Sequence, residues 1–413
     1  MKLEAAEDES RDTSTSLAHI RAADRVPGDV EFCFIQWLDW MGILRSRCVP
    51  SRQFSRTDSY RLGISRGNLG RLQDDTSTPA CSPVGQIFVR PDLDSLKRMS
   101  QGNLPPVSAA TLMVSFEEAG GAAVSLCTRS LLTETATRLR DDFALDCLVG
   151  FEIEITFCRR KKHGTEDVYE PLHQNHAWST FTDDQYMESY PLMMKIVQAL
   201  QDIGIVVEQM HPEAGAGQYE FILAPLPPVQ AVDTLVQARQ CIQQVAATHN
   251  LRATCHPQPF AGIGTACHAN ISLNGAEDAL SREEKQMQFM AFVLSHLPGL
   301  CAFTMPEAAS YARFADKQWT PGSWVGWGTQ NRKMPLRRTA TLEGLSARWE
   351  VRCLDGMGNM YLCLYVIVRA GLQGIREGTK MELGDCQGMY PTAGRNGCSV
   401  SLTWLCVRQP LAT

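Results

Sequence analysis

Leu148-Val-Gly-Phe-Glu-Ile-Glu-Ile-Thr-Phe157 is an apolar run with acids only at Glu152 and Glu154. A strand alternates its side chains between two faces. Glu152 and Glu154 therefore project to one side, and Phe151, Ile153 and Ile155 to the other. Two neighbouring carboxylates repel each other and are costly to bury. A bound cation removes that cost; so does water, if this is the solvated face of a half-buried strand. The run predicts a strand with one apolar face and one face that carries either ions or solvent.

Three further segments carry similar chemistry. Glu213-Ala-Gly-Ala-Gly-Gln-Tyr-Glu220 separates two acids by a turn in which Gly215 and Gly217 permit unusual backbone angles. The turn can fold both acids toward one point, or it is a plain hairpin with exposed acids. Gly262-Ile-Gly264-Thr-Ala-Cys-His268-Ala-Asn270 leads into the strand Ile-Ser-Leu. The glycines would admit a phosphate, and His268 and Asn270 share a face, with Cys267 on the other as packing. A hydrogen-bonded core histidine is the alternative. Arg348-Trp-Glu350-Val-Arg352 alternates two guanidiniums and a carboxylate on one face, with Arg313, Arg332 and Arg337 upstream. Guanidinium grips phosphate and carboxylate in a two-pronged fashion, although a salt-bridged outer sheet face would read the same. Hard oxygen ligands with at most one imidazole suit Mg²⁺ or Mn²⁺ better than structural zinc. Together the segments suggest a metal-bridged nucleotide and an anionic second substrate.

The flanking sequence divides into regions. Residues 1–28 are polar and aperiodic and predict a disordered tail. Residues 29–112 form a strand-rich domain, with strands around a turn at Trp40–Gly42, a loop over 64–86, and a strand and turn near Arg90–Asp94. Two short strands are expected over 107–128. Helices are expected at 129–145, 184–202, from Pro227, from Ser281 with Glu284 as a capping box, and over Tyr361–Ile375. Residues 158–183 show no pattern. A second, larger region is expected over 113–384, and 385–413 is a short atypical tail.

Composition excludes several classes. Of 413 residues, 44% are hydrophobic and 20% charged, and the net charge is −6, which offers no footprint for nucleic acid or an anionic membrane. The 15 cysteines are odd in number and form no C-x-x-C pair, so reduced thiols in a cytoplasmic protein are expected. The N-terminus has no apolar signal segment, and the apolar stretch Tyr361–Leu372 is too short to span a bilayer.

The order of motifs resembles the glutamine synthetase family. It consists of GFEIE at 150–154, EAGAGQYE at 213–220, GTACHANISL at 264–273, SYARF at 310–314, Asn331-Arg332, RWEVRCLD at 348–355 and NMYL at 359–362. The wording of 310–332 is most similar to the fungal glutamine synthetase-like group and the bacterial γ-glutamylpolyamine ligases. The resemblance implies an α+β fold: an N-terminal β-grasp domain and a catalytic domain with a curved antiparallel sheet flanked by helices. It also implies a ring-shaped homo-oligomer, ATP as co-substrate, two or more Mg²⁺ or Mn²⁺ ions, a small acid such as glutamate, and ammonia or an organic amine. By resemblance, Glu154, Glu213 and Glu220 would hold one metal, and Glu152, His268 and Glu350 the other. Arg337 and Arg348 would face nucleotide phosphates. Arg313, Arg332 and Arg352 would face the substrate carboxylate and the transferring phosphoryl group. Gly264 would lie in the loop that contacts glutamate, and Asn270 stands at the second position of the family's His-x-His/Asn pair, in the nucleotide site.

The chain departs from the family where ammonia binds. Trp319 stands where the family places a flap glutamate, and neither Asp58, Asp74 nor Asp75 matches its ammonia-preparing aspartate. The family's M-P-K-P is His256-Pro-Gln-Pro259, so its lysine is lost. Loss of acids at an ammonium site, with the metal ligands kept, implies an organic amine as nucleophile, with Trp319 in its pocket. A catalytically weak regulatory or scaffold homologue, and a carboxylate or guanidino kinase on a related fold, are the alternatives.

Overall fold

The computed structural model describes residues 26–53, 62–72, 74–76, 78, 84–99, 108–174, 177–262, 264–275, 278–314, 321, 324–339 and 347–388. Residues 1–25 of the tail expected over 1–28, together with Asp58, Trp319 and residues 389–413, lie outside them.

The first sheet contains β1 (Phe32–Leu38), β2 (Leu44–Pro50), β3 (Gly63–Ser65), β4 (Gln86–Pro91), β5 (Lys97–Arg98) and β6 (Ala109–Glu117). Its order is β2-β1-β6-β4-β3, with β5 beside β6 and a parallel β1–β6 pair at its centre. Cys33, Ile35 and Trp37 of β1 face inward with Ile87, Val89 and Leu112. Three expectations are corrected here. The loop over 64–86 includes β3, which pairs with β4. The 107–128 segment holds one strand and a single bridge, Glu117–Ala123, in place of two strands. The boundary at 112 falls inside β6, whose later residues Val114 and Phe116 fill the same core, and Val26 from the expected tail is buried there too.

The second sheet is built on β7 (Leu145–His163), a long spine for β8 (Glu166–Pro171), β9 (Val207–Pro212), β10 (Gln218–Leu223), β11 (Leu251–Thr254), β12 (Cys267–Gly275), β13 (Trp327–Thr329), β14 (Leu336–Arg338) and β15 (Trp349–Val351). The order is β13-β14-β15-β12-β7-β10-β9, with β8 and β11 on the far half of β7. All pairs are antiparallel except β13–β14, a correction to the purely antiparallel sheet expected. The β7–β8 hairpin occupies the stretch that shows no sequence pattern. Its residues Arg159 to His163 are exposed on both faces, so no apolar alternation marks it.

Helices cover the apolar face: α1 (Thr128–Phe143), α2 (Tyr190–Asp202), α3 (Pro228–Thr248), α4 (Ala279–Ser295), α5 (Leu297–Thr304), α6 (Ala308–Ala312) and α7 (Met360–Glu377). Helix α4 begins two residues before Ser281. Its cap is Asp278, whose carboxylate accepts from the N–H groups of Leu280 and Ser281 at 3.0 and 3.1 Å. No single described helix is long and apolar enough to cross a membrane. The bent α4–α5 pair passes by composition, but Phe289, Val293, Leu294 and Leu297 are buried in the core. Residues after α7 pack onto β13, where Thr329 N–H donates to Asp385 Oδ1 at 2.8 Å. The expected unrelated tail is therefore integrated at least as far as Gly388.

The two sheets are joined by a buried ion cluster. Arg129 on α1 donates to both Asp233 oxygens on α3, at 3.0 and 2.7 Å, and also to Ser115 on β6 and to Asp92 just after β4. The Tyr361 hydroxyl on α7 donates to the same Asp233. Truncating Arg129 strands a buried carboxylate. Arg129→Ala is expected to cost about 3–5 kcal/mol, whereas Arg138→Ala, at the exposed Arg138–Glu134 pair, costs under ~1 kcal/mol. Urea denaturation midpoints of the two variants check this.

Candidate active site

Register places the charged residues side by side. Glu152 pairs with His268, Glu154 with Glu220, His211 with Glu220, Asn270 with Glu350, and Glu350 with Arg337. Residues directly opposite in neighbouring strands share a face. Six strands, β7, β9, β10, β12, β14 and β15, thus deliver their polar positions to the side of the sheet away from the helices.

The loops complete this face. Gly217 is left-handed, with φ 68°, and a Cβ there would meet Phe157 O at 2.7 Å, so only glycine allows the β9–β10 turn to close. Gly215 is not left-handed, contrary to expectation. Its N–H donates to Gln218 Oε1 at 2.9 Å, and Gln218 Nε2 donates to Glu154 Oε2 and Gly264 O at 2.9 and 3.0 Å. Gly264 packs against Arg313; a Cβ would lie 2.6 Å from the Arg313 Cβ.

The expected metal ligands divide unevenly. Carboxylate and imidazole atoms of Glu152, Glu220 and His268 lie within 4.8 Å of one another, as do those of His211, Glu213 and Glu220. Glu220 is common to both groups. His211 is absent from the sequence reading, though it stands two residues before Glu213, at the spacing that marks a shared strand face. Glu154 is adjacent but engaged: Oε2 accepts from Ala266 N–H at 2.7 Å and from Gln218, and Oε1 is 3.9 Å from His268 Nε2. Glu350 is fully buried. It lies 3.3 Å from His268 Nδ1, while its oxygens accept from Arg337 at 2.6 Å and from Arg352. Asn270 donates to Glu152 Oε1 at 2.8 Å.

The arginines take different positions. Arg332, Arg337 and Arg348 line an outer cleft of about 600 Å³. Arg313, Arg332 and Arg352 line an inner cavity of about 290 Å³, and Glu152, Glu213 and Glu220 form walls of both. Arg313 is almost wholly buried and donates to the carbonyls of Leu354 and Arg352 at 2.7 and 3.2 Å, so it braces the site more than it reaches into it. Trp178, also absent from the sequence reading, lines both spaces. Its ring meets His211 edge-on at 6.2 Å and has the Arg332 guanidinium 5.8 Å away.

Electrostatics indicate what the face lacks. Burial first, and then Glu152, Glu154, Glu213 and Glu350, push the Glu220 carboxyl well above its usual value. Burial likewise raises Glu154. Burial would also raise Glu152, but His268, Asn270 and Arg352 outweigh it and hold that carboxyl down. Oxygen-rich ligands with one imidazole in each group fit Mg²⁺ or Mn²⁺, whose charge removes the repulsion at Glu220.

A raised folded-state value means that Glu220 ionisation penalises the fold. The penalty is absent below the unfolded value and grows as pH rises toward and through the folded one. Metal-free protein is therefore expected to lose melting temperature as pH rises above the usual carboxylate range, and added Mn²⁺ to restore more at the higher pH. Glu220→Gln should raise the metal-free melting temperature at pH 8 and abolish the Mn²⁺ increment. Differential scanning calorimetry reads both; a destabilised metal-free Gln variant would contradict the account.

Comparison with known proteins agrees with this face and fold. A profile described as glutamine synthetase, catalytic domain, matches residues 125–387. Protein fluG of Emericella nidulans is 36% identical over 87% of the chain, which spans only 40% of that protein's length. Gamma-glutamylpolyamine synthetase GlnA3 of Streptomyces coelicolor is 29% identical over 83% of the chain and 74% of its own. A crystal structure titled novel glutamine synthase homolog superposes with a TM-score of 0.73 at 26% identity, covering 85% of this chain and 84% of that one. The chain belongs to the glutamine synthetase family.

Proposed function

We propose that this chain is an ATP-dependent carboxylate–amine ligase. It makes an amide through an acyl phosphate, taking glutamate or a related acid, and prefers an organic amine to ammonia. The observation that carries the reading is one continuous polar face. On it the carboxylates of Glu152, Glu154, Glu213 and Glu220 meet His268 and His211 beside arginines that line an outer and an inner cavity. The likeness to GlnA3, whose name specifies a polyamine, supports an organic amine.

In this reading Arg337 and Arg348 receive the nucleotide phosphates in the outer cleft. Arg332 and Arg352 face the acid and the phosphoryl group at the inner cavity, and Arg313 holds the 352–354 backbone in place. Glu152, Glu220 and His268, and His211, Glu213 and Glu220, would hold Mg²⁺ or Mn²⁺, with Glu154 and Glu350 alongside. When bound, the ions neutralise phosphate charge, the dominant need in phosphoryl transfer. The γ-phosphoryl passes from ATP to the side-chain carboxylate; the amine then attacks the acyl carbon and phosphate leaves. A ring-shaped homo-oligomer is proposed with the same family logic.

Trp178 belongs to this proposal as a wall of the amine path. It stands at the junction of both cavities beside Glu213, where an aromatic face attracts a cationic amine and its apolar edge covers an alkyl chain. Phosphate release is to be measured with ATP, Mg²⁺ or Mn²⁺, glutamate and a series from ammonium to diamines. Release should require both acid and amine, and be faster with organic amines. Glu220→Gln should lower kcat on the order of 10²-fold or more. Trp178→Ala should raise KM for the organic amine more than for ammonium. Release that needs the acid but ignores the amine would point to a kinase. Ammonia-dependent glutamine formation outpacing every organic amine would refute the amine preference. Absence of both turnover and ATP binding would favour a regulatory role.

A further inference from the structure

A second cavity, of about 870 Å³, lies between the β1–β2 hairpin, α3, β11 and the Gly356–Met360 segment, and shares no lining residue with the catalytic cleft or its inner cavity. Its volume is that of a pocket for an organic small molecule. One part of the wall is apolar, with Leu38, Leu44, Val236 and Met360. Elsewhere it carries Arg160, Arg239 and Arg252, and no carboxylate residue among the described residues that line it. Such a concentration of guanidinium is unexpected in a chain of net charge −6.

The arginines are not equally compensated. Arg160 is paired with Asp167 across the β7–β8 hairpin. Arg252 is exposed and, among the described residues, donates to the Tyr169 hydroxyl alone, at 3.2 Å, with its guanidinium 5.6 Å from that ring. Arg239 donates from one nitrogen to Gly356 O at 3.3 Å. Its Nε and a second terminal nitrogen are buried with no oxygen or nitrogen acceptor among the described residues; the Cys267 thiol, a weak acceptor, touches the side chain, and the Cys255 thiol and the buried Asp355 carboxylate lie nearby. Buried donors left unmet are costly, and a guanidinium fork is satisfied best by an oxyanion.

We infer that this cavity is a binding site for an organic phosphate, its phosphoryl group held by Arg239 and Arg252 and its apolar or aromatic body laid against Leu38, Leu44, Val236 and Met360. The site lies on the other side of β12 from the metal face: Cys267 touches Arg239, and its neighbour His268 points to Glu152. An occupant would thus brace the strand that carries His268.

Phenyl phosphate is the probe, titrated calorimetrically into the full chain with Mg²⁺ and a saturating non-hydrolysable ATP analogue present. Saturable binding is expected, weakened by about tenfold or more in Arg252→Gln and in Arg239→Gln, the loss of a charge-assisted hydrogen bond. Inorganic phosphate should bind more weakly than phenyl phosphate, because it leaves the apolar wall uncovered. Should Arg239→Gln fail to fold, by near-ultraviolet circular dichroism, the exposed Arg252 variant decides. No saturable binding, binding unchanged in Arg252→Gln, or phenylacetate binding as tightly as phenyl phosphate would each overturn the assignment. The site does not depend on the ligase reading, since binding is scored without turnover.

Discussion

Mutual repulsion among carboxylates governs this molecule. Glu152, Glu154, Glu213, Glu220 and Glu350 converge on one face, and Glu220, whose carboxyl is pushed up by burial and by the other four acids, bears the greatest share of the repulsion. Left alone, like charges in a dry setting would pull the strands apart or stay protonated. The fold resists by three means. Arg337 and Arg352 neutralise Glu350, hydrogen bonds from Gln218, Asn270 and the Ala266 backbone steady Glu154 and Glu152, and the remaining acids stand close enough together for a cation to neutralise them. The residues that hold the acids in place are therefore as much a part of the site as the acids.

The rest of the architecture supplies the rigidity that such a face needs. β7 serves as a common spine, hydrogen-bonded to β12 on one edge and β10 on the other, so the spacing of Glu152 and Glu154 from their partners is fixed by backbone register. Behind it, Phe151, Ile153 and Ile155 enter a core closed by α3, α4 and α7. The Arg129–Asp233–Tyr361 cluster then ties that core to the first sheet through Asp92 and Ser115. Apolar burial makes the catalytic half cohesive, while a buried polar cluster sets how the smaller half docks on it.

Much of this was legible residue by residue. Phe151-Glu-Ile-Glu-Ile155 announces its strand because one face must be apolar, and the period-2 spacing puts both acids on the other. His268 and Asn270, and Glu350 and Arg352, follow by the same rule. Where both faces of a strand are exposed, as along Arg159–His163, the rule has nothing to read, and the β7–β8 hairpin was missed. Trp178 and His211 were missed for a different reason: each acquires its role only when β9 and the segment before α2 come to lie against β10 and the 330s loop. The cap of α4 shows the limit of motif reading, since Ser281 and Glu284 form a plausible box but Asp278 reaches the first free N–H groups sooner.

The sequence by itself determined the strands that keep one apolar face, the polar side of those strands, the main helices and the family they spell, because those depend on local periodicity and on motifs of adjacent residues. Only the tertiary structure decided which acids lie close enough together to share a cation and which are already paired. Glu220 stands in both candidate ligand groups, whereas Glu350 is locked between Arg337 and Arg352. That partition depends on distances of a few ångströms between strands far apart in the chain, and Coulomb energies in a buried site change steeply over such distances. The opening strand, Leu148–Phe157, thus told where the charges would be; the register of β7 with β10 and β12 told what each charge faces.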